Sequence, residues 1–291
     1  TMSAAAIAMN RFGLGAKAGS EAPGDPKKWL TAQIDSYQAN PAIIAQLPSR
    51  SEIVDVFKDY QMGKRADKAA GKAPEKPKRG KNKRQQAAMD DGDAMEMSPE
   101  ERAVAAGLDN PESPTRKAIR NFYVEATQAR LQNALITQSD FPERLVHFWS
   151  NHFAVSIDKL PVVALAGNYE FEAIRPNIMG KFSDLLIAAV RHPAMLLYLD
   201  QAQSFGPDSP VAERVRNRQR KATLGLNENL AREIMELHTL GVRTGYTQAD
   251  VTSFAKALTG LTVAGLGRGA GQRLMPDDAK PGDTVFIEPL H

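Results

Sequence analysis

From Ser113 to Gly260 the chain is a succession of amphipathic segments whose apolar residues recur every three or four positions. Pro161, Pro176, Gly180, Pro193, Gly241 and Gly260 punctuate them. This period constrains the fold strongly, because it gathers apolar side chains into one stripe of a helix and would scatter them over both faces of a strand. Helices are expected at about 113–137, 140–153, 162–174, 180–191, 193–200, 210–220, 227–240 and 247–259. TQAD at 247–250 has the form of an N-cap followed by an acid at the third helical position. Two further amphipathic stretches come earlier: GDPKKWLTAQID (24–35), with Pro26 near its start, and SEIVDVFKDYQMGKR, for which Ser51 is the expected N-cap. Only TVFIE (284–288) has the look of a strand. The expected fold class is all-α, a multi-helix globular bundle with at most a short β segment near the C-terminus.

Composition narrows the function classes. Hydrophobic residues make up 42% and charged residues 24%, as in soluble globular proteins. No apolar run approaches the roughly 20 residues that span a bilayer, so no transmembrane segment is expected. The opening TMSAAAIAMNRFGLG lacks a basic start and is too short for a secretory signal. Localisation therefore stays open between the cytoplasm and export after signal removal. With no cysteine there is no disulfide, thiolate ligand or cysteine nucleophile, so a metal would need His, Asp, Glu or Asn.

The net charge of +3 is unevenly spread. Lys64 to Arg84 holds ten Lys/Arg against Asp67 and Glu75, a local net of +8, and Asp90 to Glu101 holds six acids and no base. With few large apolar residues, 64–100 is expected to be a charged flexible insertion within a single helical domain spanning 1–291. Its basic part permits nucleic-acid binding. It lacks the interleaved aromatics that stack on bases, which favours a solvated loop.

Two helices carry the candidate chemistry. At about 100° per residue, Glu143, His147, Ser150 and Asn151 share one side of the 140–153 helix. Leu145, Phe148, Trp149, His152 and Phe153 share the other. His147 and His152 thus diverge: Glu143, His147 and Asn151 form an i, i+4, i+8 row suited to metal binding or acid–base work, while His152 falls in an aromatic stripe as a core histidine. In NENLAREIMELHTLG (227–241), His238 falls among apolar neighbours and is likewise expected in the core. Asn229, Arg232, Glu233 and Glu236 occupy the other face, where Arg232 and Glu236 can pair. Glu236 and His238, two apart, lack chelating spacing. His192 before Pro193 suits a structural cap, and RFGLGA lacks the strand and third glycine of a phosphate loop.

RFGLGA, ERLVHFWSNHF, AIRPNIMGKFSDLLIAAVRHPAMLLYLD, LNENLAREIMELHTLGV and GYTQADVTSFAKALTG together resemble the bacterial domain-of-unknown-function family 1800. The resemblance covers 114–262 and the first 30 residues, and leaves 64–100 outside. Gln201 and Leu261 stand where Asn and Trp are expected. The chain stops at His291, where the family's next motif, a histidine followed by an acid, is expected, which suggests truncation at the C-terminus. All five histidines fall within family-like blocks. The resemblance implies a helical fold and partnership with a sulfatase-like protein, and implies no reaction.

The expected function is a helical enzyme, a metal-assisted hydrolase or oxidoreductase, with its site between the 140–153 and 227–240 helices. His147, Glu233, Glu236 and Arg232 are the catalytic candidates, Arg232 holding an anionic group. His147, Glu143 and Asn151 are the candidate ligands of a divalent metal bound through N and O atoms. The alternative is a non-enzymatic helical scaffold or assembly partner of the sulfatase-like protein, in which the same polar groups form internal salt bridges.

Overall fold

The computed structural model describes residues 2–15, 21–70, 114–218, 225–242, 244–266 and 270–291. The described elements are overwhelmingly helical: α1 (Ala4–Phe12), α2 (Pro26–Asp35), α3 (Ala42–Ala45), α4 (Arg50–Ala69), α5 (Pro114–Ile136), α6 (Asp140–His152), α7 (Leu160–Asn168), α8 (Phe182–Arg191), α9 (Pro193–Tyr198), α10 (Pro210–Arg218), α11 (Asn229–Glu233), α12 (Gln248–Leu258) and α13 (Ala270–Arg273). Helix α4 extends through the first residues of the charged stretch, and residues 71–100 of that stretch lie outside the described residues. Among the described residues no helix is long and apolar enough to cross a membrane.

Local chemistry explains where these helices start. Asp25 accepts from the Lys27 and Lys28 amides ahead of Pro26, and Thr247 and Asp250 form a reciprocal capping box. The start of α4 departs from expectation. Ser49, not Ser51, exchanges bonds with Glu52, because the reciprocal pairing needs an acid three positions after the cap.

Two expected helices change register partway. The segment after α7 winds into a π-helix over Tyr169–Ile174, and the segment after α11 does so over Ile234–Thr239. Pro176 has no amide to continue the first, and Asn177 Nδ2 donates instead to the Ala173 carbonyl at 2.8 Å. In the second, the Thr239 hydroxyl donates to the Ile234 carbonyl at 2.6 Å. The expected strand over 284–288 is shorter, Thr284–Phe286 (β2), and it pairs antiparallel with β1 (Leu261–Val263), which was expected as helix end and loop. Gly260, at φ +86°, makes the turn out of α12 that allows this pairing.

The core centres on α7, whose Val162 and Leu165 are fully buried between α5, α9 and the first π-helix. Helices α5 and α7 approach closely at Gly167, where an added Cβ would stand 2.3 Å from the Ala126 Cβ. Gly167→Ala should therefore destabilise the protein by about 1–3 kcal/mol, the usual range for overpacking, measured by urea denaturation. An unchanged midpoint would show that the two helices can separate without cost.

Candidate functional site

Both faces of α6 meet the protein, the aromatic side through Phe153, Leu145 and Trp149 and the polar side through Glu143, and the burial of Glu143 determines what its neighbours can do. Glu143 is 1% exposed, whereas Phe148, on the apolar face, is 58% exposed. Glu143 is neutralised by Arg175, also 1% exposed, in a two-pronged pair: Nη1 to Oε1 at 2.7 Å and Nη2 to Oε2 at 2.8 Å. Asn133 of α5 donates a third bond to Oε2 at 2.8 Å. Arg175 Nε donates to the Ala39 carbonyl, and the Tyr37 hydroxyl donates to the Arg175 carbonyl. One ion pair thus ties α5, α6, the loop before α3 and the end of the first π-helix together.

Next to this clamp opens a cleft of about 270 Å³, lined by Tyr123 and Arg130 of α5, His147, Ser150 and Asn151 of α6, and Glu170 of the π-helix, among others. Glu170 is 7% exposed; Ser150 donates to its Oε2 at 2.9 Å, and Arg130 Nε stands 2.7 Å from the same oxygen. Two buried polar atoms around this cleft have no hydrogen-bond partner, Glu170 Oε1 and His147 Nε2, whereas Arg130 Nε is ion-paired with Glu170. Burial holds the Glu170 carboxyl above its ordinary range, against the opposing pull of Arg130, Ser150 and Arg175. Burial, helped by Arg130, holds the His147 imidazole below its ordinary range, although Glu143 Oε1 lies 3.8 Å from Nε2. Both shifts favour the uncharged forms, a protonated acid and a free-base imidazole facing one cleft.

The remaining candidates stand elsewhere. Helix α6 meets the π-helix that follows α11 through its aromatic side: His152 Nε2 donates to the His238 carbonyl at 3.1 Å, and the two rings lie 6.1 Å apart. The polar rows of the two segments therefore do not face a shared cleft. Arg232 bonds to Glu228 and Glu236, both at 3.2 Å, and to Gln248 at 2.9 Å, which braces α11 against α12. Burial and the neighbouring Glu236 raise the Glu233 carboxyl. None of Arg232, Glu233 and Glu236 lines the His147 cleft.

Among the described residues no group of three or more His, Asp or Glu side chains could hold a metal ion. In the expected set of His147, Glu143 and Asn151, Glu143 already has a cation. A cation at Glu143 would sit against the Arg175 guanidinium that already occupies both carboxylate oxygens. The other histidines have structural partners. His192 is buried, accepts from the Ala194 amide at 3.2 Å through Nδ1 and faces Glu172 at 3.4 Å through Nε2. His291 Nδ1 lies 3.0 Å from the Thr259 hydroxyl. His238 is buried with Nδ1 unpartnered, and burial next to His152 lowers its pKa to about 4.

Glu143, His147 and Arg175 lie in the ordered blocks ERLVHFWSNHF and AIRPNIMG. The profile of a family of proteins of unknown function (DUF1800) matches residues 7–290. The chain belongs to that family. Comparison with curated proteins and with solved structures gave no match. Of the two departures noted in this DUF1800 chain, Gln201 is fully buried and donates to the Leu258 carbonyl at 2.8 Å, which holds the end of α12.

Sequence reasoning missed Arg175, Glu170 and Arg130. Arg175 carried a signal, a lone cation inside the apolar AIRPNIMG block. Glu170 carried none, because the π-helix sets its direction.

Two outcomes follow from these partners. Arg175→Met should destabilise the fold by about 3–5 kcal/mol in urea denaturation by stranding Glu143, and adding Glu143→Gln should recover part of the loss. A double variant as unstable as the single would contradict the clamp. His238 has a folded pKa of about 4 against an ordinary 6.5, so the unfolded chain takes up its proton first. Its contribution to stability is whole above about 6.5 and is lost as pH falls toward 4, by at most about 1.4 kcal/mol per pH unit. His238→Phe should flatten the fall in melting temperature across that window, and an unaltered slope would assign it to other groups.

Proposed function

We propose that this DUF1800 protein is a helical enzyme whose site is the α5–α6–π-helix cleft. It would carry out metal-independent acid–base chemistry, of the hydrolytic or proton-transfer kind, on a small polar substrate. One observation carries the reading: two buried polar atoms, Glu170 Oε1 and His147 Nε2, lack hydrogen-bond partners around a single cleft that Arg130 also lines. An unmet buried donor or acceptor costs about 1–3 kcal/mol, so two at one place are strain that a bound polar ligand would relieve. Glu170 is the general acid and His147 the base, and burial shifts each in the direction its role needs, the carboxyl upward and the imidazole downward. Arg130 holds the substrate's developing negative charge, and Ser150 fixes the Glu170 carboxyl. The π-helix supports the reading as well, since such segments concentrate at functional sites.

The alternative is a non-enzymatic scaffold assembling with a sulfatase-like protein. It is favoured by the Arg232 brace and by the exposed apolar residues Phe148, Leu237, Leu240 and Val242. One experiment separates the two. Small esters, amides and phosphate esters are screened for turnover and thermal shift with the wild type, Glu170→Gln and His147→Ala. The enzyme reading expects a substrate whose turnover falls by about 10²–10⁴ in either variant. It also expects Glu170→Gln to be more stable than the wild type by about 0.5–2 kcal/mol, as when a strained site is relaxed. No turnover or ligand shift in the wild type, together with a destabilised Glu170→Gln, would leave the scaffold.

A further inference from the structure

A second cleft, of about 460 Å³, lies elsewhere, between α4, the start of α5, the start of α7 and the loop after α9. It shares no lining residue with the His147 cleft. Its volume falls within the roughly 300–1,000 Å³ of small-molecule sites. Its lining divides by chemistry. Phe57, Leu160, Leu197 and Leu266 supply apolar surface, while Lys64, Arg116 and Lys159 supply three cations against a single carboxylate, Asp200.

That carboxylate is already committed. Lys159 Nζ stands 2.7 Å from Asp200 Oδ1 and also donates to the carbonyls of Leu197 at 3.2 Å and Tyr198 at 2.7 Å, closing the end of α9. Asp200 holds this position in the left-handed region, at φ 60°, which aspartate tolerates better than most residues. Lys64 and Arg116 are left without an ion pair among the described residues. Lys64 lies 5.3 Å over the Tyr60 ring, and Arg116 Nε is buried with no hydrogen-bond partner. A buried guanidinium donor without an acceptor is costly, and an anionic oxygen is its strongest partner.

We infer that this cleft is a second binding site, for a small amphipathic anion: a phosphate or carboxylate head held by Arg116 and Lys64, with an apolar or aromatic body against Phe57, Leu160 and Leu197. The head supplies the acceptor that Arg116 Nε lacks. The body displaces water from the apolar wall, which a bare ion cannot do. Tyr60, beside Lys64, offers a ring face to an aromatic body.

The test uses the full chain at low salt, with phenyl phosphate, benzoate, inorganic phosphate and phenol as probes in titration calorimetry. Phenyl phosphate or benzoate should bind saturably, and the tighter of the two identifies the head group. Inorganic phosphate and phenol should each bind more weakly, since each keeps only half of the interaction. Arg116→Gln should weaken the better probe about tenfold, the loss of one charge-assisted hydrogen bond. Asp200→Asn should tighten it, because removing the only carboxylate raises the positive charge of the cleft while asparagine still tolerates the left-handed backbone. These opposite signs cannot both come from damage to the fold. Glu170→Gln should leave the affinity unchanged, which separates failure here from failure of the acid–base cleft. Absence of binding by both phenyl phosphate and benzoate would overturn the inference. So would an affinity indifferent to Arg116→Gln, or inorganic phosphate binding as tightly as phenyl phosphate.

Discussion

Everything around the candidate cleft depends on the pairing of Glu143 with Arg175. Two charges buried this deeply lose most of their hydration, and their attraction repays that only when each remaining donor and acceptor is met. Here it is met almost completely. The carboxylate takes both guanidinium nitrogens and Asn133, and the guanidinium also reaches the Ala39 carbonyl. The pair joins residues 32 apart in sequence, so it forms only when the bundle has closed. Once formed, it fixes the rotation of α6 about its axis. That rotation sets His147, Ser150 and Asn151 along the cleft and leaves Phe148 outside.

The cleft contrasts with the clamp beside it. Within the clamp polar atoms are satisfied, while around the cleft Glu170 and His147 each keep one without a hydrogen-bond partner. Both arrangements draw on α5, α6 and the same π-helix. A rigid, saturated pair thus supports a neighbouring set of unsaturated groups, the organisation expected of a site whose first ring of residues must not move. The cationic cleft near α4 repeats the pattern on a smaller scale. There Lys159 and Asp200 saturate each other and the end of α9, and Arg116 is left over.

How much of this was legible in the residues depends on how far each feature reaches along the chain. Helix positions follow a local period, and caps such as Thr247 with Asp250 lie within one turn, so both can be read directly. The same wheel placed Glu143, His147 and Ser150 on one side of α6, and they do share it. It could not say which side faces the core. Polarity argued for the aromatic side, and the reverse holds for Glu143 and Phe148 because a partner cation arrives from Arg175. Beyond Asn168 and Glu233 the wheel itself fails, since a π-turn advances each residue by a smaller angle than an α-turn. Glu170 was invisible for that reason. The pairing of β1 with β2 was equally hidden, because the strands are three residues each and about twenty apart.

By itself the sequence determined that the chain is helical, that thiol chemistry is excluded and that α6 has two chemically distinct faces. Each follows from composition or from a repeat a few residues long. Only the tertiary structure decided which face is buried, which carboxylate is neutralised and which is left open to a cleft. Those outcomes depend on charges meeting across tens of residues in a medium that screens them poorly, where one guanidinium can turn an acidic helix face into the core.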